Sequence, residues 1–217
     1  MDTLHFCIAI LPVSVYLLLI GLINLSPRPF LTTGTRDLGA LALAVSGFAI
    51  TGPMELFLPE SAASILHGWV WLPLLLLYVI LVTLAVLLMR PRLIIYNVTA
   101  DRLQPLLEQV VSELDAASRW AGNSVEMPNL GVQFAVESYA GMRNATLSSI
   151  GPDQDLDGWH RLRQRLQTQL ATATRMPLNP RGFSFLFLAM MLAAGIVYSL
   201  LTDKQEIAQA VRQMLRM

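Results

Sequence analysis

Cysteine, lysine and charge are all scarce in this chain. Cys7 is the only cysteine, which excludes an intrachain disulfide and a cysteine-based zinc site. Lys204 is the only lysine among fifteen basic residues; the others are arginine. Charged residues make up 14% of the 217 positions, well below the ~25% of soluble domains. Fifteen acidic residues cancel the fifteen basic ones, so no global field draws the chain to nucleic acid. Catalytic signatures are missing as well: there is no Gly-rich phosphate loop, no Gly-x-Ser-x-Gly and no His-Glu-x-x-His. No cofactor and no metal site is expected.

What the chain has instead is apolar length. Hydrophobic residues make up 54% and mean hydropathy is +0.54. Four charge-free runs, about 5–25, 38–53, 68–89 and 182–201, flank a polar block between Arg90 and Arg181. Crossing a ~30 Å hydrocarbon core takes about 20 mostly apolar residues in a helix. Three runs meet that length and the second nearly does. Residues 1–91 are therefore read as a membrane part with three transmembrane helices, 92–177 as a soluble domain, and 178–202 as the fourth span. The first run is read as a retained helix, because residues 1–5 hold Asp2 and no Lys or Arg.

Arginines set the expected orientation, since Lys and Arg near span ends stay on the cytoplasmic side. Arg28, Arg36, Arg90, Arg92, Arg175 and Arg181 share one side if the N-terminus is outside. Lys204, Arg212 and Arg216 oppose that arrangement. Six against three puts the polar domain in the cytoplasm of a bacterial inner (plasma) membrane. The sequons at Asn97 and Asn144 are read as coincidence, since they fall beside expected strands.

The second run carries Gly39, Ala42, Ser46 and Ala49 at steps of three and four, a face of small residues that lets another backbone approach. Ala189 and Ala193 on the fourth run are its expected counterpart. Packing within one bundle is favoured over a dimer seam. Gly52-Pro53 is expected to end or kink this helix, and Trp69 and Trp71 to anchor the next at the interface. Ionisable groups sit only at the ends of the runs, which argues against a transport path through them.

Within the polar block, residues 93–96 read as a strand. Thr99 or Asp101 is the expected cap of the next helix, with Gln104 completing a capping box. Leu103, Leu106, Leu107, Val110, Val111 and Leu114 form its apolar stripe. Residues 119–127, 132–139 and 145–150 read as three strands separated by Pro, Gly and Asn turns. A second helix opens near Asp155 or Asp157, with Leu156, Trp159, Leu162, Leu166 and Leu170 as its stripe. The order β-α-β-β-β-α predicts a small antiparallel sheet with two helices on one face.

The expected fold class is thus an α-helical polytopic membrane protein, three spans plus one, with an inserted small α+β domain. Arg161, Arg163 and Arg165 form the candidate face for anionic lipid or a partner, weighed evenly against a solvated face. His160 reads as a surface residue. Asp153, Asp155 and Asp157 resemble the opening of a calcium loop but lack its Gly and its closing Glu. Residues 203–217 form a short amphipathic helix, interfacial or continuing the fourth span. The expected role is a non-enzymatic scaffold, or a subunit of a membrane complex, that engages a protein partner or its own copy. The alternatives are an interface enzyme acting on an anionic lipid or phosphate, and an oligomeric channel or transporter subunit.

Overall fold

The computed structural model describes residues 3–56, 71–139, 141, 143–152, 154–172 and 179–202. The described residues combine helices with one antiparallel sheet. In chain order they are α1 (Thr3–Leu25), β1 (Phe30–Thr33), α2 (Gly34–Leu56), α3 (Trp71–Leu88), β2 (Arg92–Tyr96) and α4 (Ala100–Leu114). Then follow β3 (Arg119–Ala121), β4 (Ser124–Met127), β5 (Val132–Tyr139), β6 (Asn144–Ser149), α5 (Leu156–Thr172) and α6 (Arg181–Thr202). These residues fall into two compact units. One lies within Met1–Ile20, Leu38–Leu88 and Ser184–Met217, the other within Gly21–Asp37 and Met89–Phe183.

In the first unit, α1 and α6 are long and apolar enough to cross a membrane by length and composition; 75–88 in α3 is a shorter apolar stretch. Leu, Val, Phe and Met side chains stand exposed along these helices, Leu87 at 76% and Phe187 at 70%. Water does not favour such exposure over so wide an area. Ala44, Gly47 and Thr51 form the buried line of α2. A Cβ added at Gly47 would collide with the backbone of Ile8 and Ala9 in α1, so only glycine permits that approach. The Tyr78 hydroxyl of α3 donates to the Ala42 carbonyl at 2.5 Å.

Helix α2 departs from the sequence expectation at both ends. It begins at Gly34, where the Thr33 hydroxyl accepts the Arg36 N–H at 3.4 Å, a capping contact. It also runs through Gly52-Pro53 to Leu56 rather than stopping there. The expected start of the third span at residue 68, Trp69, and the tail 203–217 lie outside the described residues.

The second unit is a six-stranded antiparallel sheet in the order β1-β2-β6-β5-β4-β3. Strands β3 to β6 form a meander, and β2 enters it beside β6. Alternation along the strands sends Leu93, Ile95, Val125, Met127, Val132, Phe134, Ala145 and Leu147 to one face. There they meet Leu103, Leu107, Val110 and Val111 of α4 and Trp159, Leu162, Leu166 and Leu170 of α5. Phe134 is fully buried and its ring lies 6.1 Å from that of Trp159, tilted by 58°. Glu126, Gln133, Glu137 and Thr146 fall on the opposite, polar face, where the Gln133 amide donates to Glu126 at 3.0 Å.

Two expectations for this unit are corrected, and a strand outside the sequence reading is added. Residues 119–127 are a hairpin rather than one strand, because Gly122 adopts φ +62° and reverses the chain at Gly122-Asn123. The segment after the first apolar run is not only a loop: Phe30–Thr33 pairs with β2, from Phe30 opposite Tyr96 to Thr33 opposite Leu93. The inserted order is therefore β-α-β-β-β-β-α, with a further edge strand supplied from earlier in the chain. No capping box closes α4; Thr99 is its N-cap without a side-chain bond, and Gln104 donates to Glu108 instead.

Candidate functional site

The basic residues of α5 do not form one uniform face. Arg165 is committed: its Nε and Nη2 donate to Glu113 Oε2 of α4 at 2.9 and 2.7 Å. Hydrogen bonds from Gln109 and Arg165 hold the Glu113 carboxyl below the usual carboxylate range. Arg161 is exposed to solvent. Arg163 is half-buried and lines a cleft beside the N-terminal end of β2. Leu162 and Leu166, next to these arginines in sequence, are fully buried, which fixes how the helix is turned.

The cleft has a volume of about 190 Å³. Arg90, Arg92, His160 and Arg163 line it, together with Thr33, Gly34 and Thr35 at the start of α2 and apolar Leu93, Leu156 and Trp159. Its position follows from local chain geometry. Strand β1 ends at Thr33 opposite Leu93, so the first turn of α2 lies next to Arg92. Gly34 must lack a side chain, because a Cβ there would run into the Arg92 side chain. Thr33 and Thr35 share a hydroxyl–hydroxyl bond of 3.1 Å. Trp159 is pinned by its Nε1–H, which donates to Gln154 Oε1 at 2.8 Å. The Arg92 Nε is buried without a hydrogen-bond partner. Among the described residues, no Asp or Glu lines the cleft.

Of the six arginines read as sharing one side of the membrane, Arg90 and Arg92 line this cleft and Arg28, Arg36 and Arg181 are not among its lining residues. Arg175 lies outside the described residues. Sequence reasoning did not find the contribution of Thr33–Thr35, since a four-residue edge strand after a turn carries little periodic signal. It also treated His160 as plain surface; that residue is exposed, yet it stands on the cleft wall.

The small residues of the second run are half-buried: Gly39 has open space around it, while Ala42 accepts the Tyr78 bond. Ala189 is buried at 2% exposure and Ala193 is exposed. The buried line of α2, Ala44, Gly47 and Thr51, lies about 150° round the helix from the face read in the sequence, at ~100° per residue.

One buried carboxylate is structural. Asp115, 2% exposed, accepts the Ala117 N–H at 2.9 Å, the Asn129 N–H at 2.8 Å and the Asn129 side-chain amide at 2.7 Å. Burial by itself pushes this carboxyl up, but those donors, with the Leu130 N–H, hold it below the usual range. It ties the end of α4 to the turn before β5 and faces no cleft residue. The aspartates before α5 act locally: Asp155 Oδ1 accepts the Asp157 N–H at 3.0 Å at the helix start, and no group of metal-binding side chains occurs among the described residues. Compared with known proteins, the chain matches no family model, no curated protein and no solved structure.

Proposed function

We infer that this chain is a multi-span membrane protein, four spans arranged three plus one, and that it serves as a non-enzymatic scaffold or subunit of a membrane complex. Its α+β unit is the binding module. The observation that carries this reading is how the unit is built. Segments adjoining the apolar helices are structural parts of it: β1 completes the sheet edge, and the buried Asn179 amide donates to the buried Asn24 Oδ1 at 3.1 Å. A unit whose own sheet and buried contacts draw on segments next to the apolar helices is one compact body, as a subunit that presents a surface requires. The exposed apolar length of α1, α3 and α6 supports immersion in lipid.

The arginine asymmetry places the α+β unit in the cytoplasm with the N-terminus outside. Reporter fusions after Met89 and within 143–152 should score cytoplasmic, and a fusion within 57–66 external. An external signal from the sheet region overturns the topology. The scaffold role is tested by in-membrane cross-linking from the polar sheet face, at Glu137 and Thr146, followed by mass spectrometry. A discrete adduct, to a second copy or to one other protein, supports it; a membrane-wide smear of adducts sinks it.

A second reading, an interface enzyme acting on an anionic lipid or phosphate, draws on the basic cleft. Three arginines would neutralise such a substrate, and His160 would be its proton-transfer group.

A further inference from the structure

We propose that the cleft lined by Arg90, Arg92, His160 and Arg163 binds a phosphate group, carried either by a phospholipid headgroup or by a soluble phosphate ester. The inference goes beyond the scaffold reading and does not depend on it.

Charge is the first reason. Three arginines and a histidine line one cleft with no carboxylate among its described lining residues, whereas Arg165, only two positions from Arg163, is paired with Glu113. Like charges brought together are costly, and an anion relieves that cost. Arginine is suited to the task because its planar fork matches phosphate oxygens in pairs.

The second reason is the buried, partnerless Nε of Arg92. A buried charged donor left unmade is expensive, and here the fold holds it in place. The Arg92 side chain lies against Gly34, where no other residue would leave room for it. A phosphate drawn into the cleft supplies negative charge beside this guanidinium, whose buried Nε lacks an acceptor.

The third reason is the wall opposite. Thr33 and Thr35 bring hydroxyl groups, and the first turn of α2 brings the partial positive charge of a helix start. At about 190 Å³ the cleft is smaller than the ~300–1,000 Å³ of drug-sized sites, which suits a compact anion rather than a large cofactor.

The test uses the full chain, purified in a neutral detergent. Inorganic phosphate titrated against it, read by calorimetry and by thermal midpoint, should bind saturably and raise the midpoint, with chloride at equal ionic strength as control. In parallel, the chain in nanodiscs of phosphatidylcholine is compared with nanodiscs containing phosphatidic acid. Binding of free phosphate assigns a soluble ester; stabilisation by phosphatidic acid alone assigns a headgroup. Arg163→Gln, at a half-buried wall position, should weaken the binding by about tenfold or more, and Arg92→Gln should act the same way if it folds. Arg161→Gln, outside the cleft, should change nothing. Absence of saturable binding in both arms overturns the proposal. So does an Arg163→Gln variant that binds as well as the parent, or an Arg161→Gln variant that loses as much.

Discussion

The Tyr96 hydroxyl donates to Asp37 Oδ1 at 2.5 Å, joining the last residue of β2 to the first turn of α2 across 59 positions of sequence. Asp37 also stands where a negative charge favours a helix start. This contact fixes the beginning of α2 against the sheet, and with it the Thr33–Thr35 wall of the basic cleft. Tyr96→Phe should therefore destabilise the unit by about 1.5–3 kcal/mol, the range for a hydrogen bond to a charged group. Chemical denaturation of the full chain in detergent, followed by tryptophan fluorescence, checks it. An unchanged midpoint would show that the contact does not anchor α2.

Asp115 gives the unit a defined acid sensitivity. Its carboxyl is held below the ~3.9 of an unfolded aspartate, so its stabilisation is fully present above that pH. It is lost as pH falls through the lower, folded value. The thermal midpoint of the parent should thus drop below about pH 4, and Asp115→Asn should lower the midpoint at pH 7 while flattening the drop. A variant with the parent's pH profile would remove Asp115 from the explanation.

Two glycines of α2 should respond oppositely to alanine. Gly47→Ala forces a Cβ into the backbone of Ile8 and Ala9, so α1 and α2 must separate. Gly39→Ala meets open space and gains up to ~1 kcal/mol of helix propensity. Thermal midpoints in detergent should fall for the first and hold or rise for the second. Equal effects would mean that α1 does not pack at Gly47.

Asn97 is a buried residue at φ +58° whose side-chain amide donates to the Ser26 carbonyl. Asn97→Ala removes the bond and leaves a residue that resists this backbone conformation. A loss of about 2–4 kcal/mol is expected from the two effects, with Asn97→Gly losing less. Equilibrium unfolding of the three proteins measures the difference, and a loss as large for Gly as for Ala would assign the whole effect to the bond. The buried side-chain amide at this position is structural.

Local chemistry was enough for much of this protein. Apolar length and missing charge marked out the long helices, a short apolar run marked β2, turn residues bounded β6, and period-2 and period-3.6 patterns identified β5, α4 and α5, because burying one face leaves its period in the sequence. The stripe of α5 also showed that Arg161, Arg163 and Arg165 lie off its core face. What the sequence could not carry was which distant segments meet. Strand β1 is four residues long and becomes a strand only because β2 offers it an unpaired edge. The hairpin at Gly122 depends on one left-handed residue inside a run that reads as continuous strand. Pairing of Arg165 with Glu113, and convergence of Arg90, Arg92, His160 and Arg163 beside Thr33–Thr35, require α5, β2 and the start of α2 to be placed together. Periodicity tells a residue which side of its own element it occupies; the arrangement of the elements decides what stands opposite.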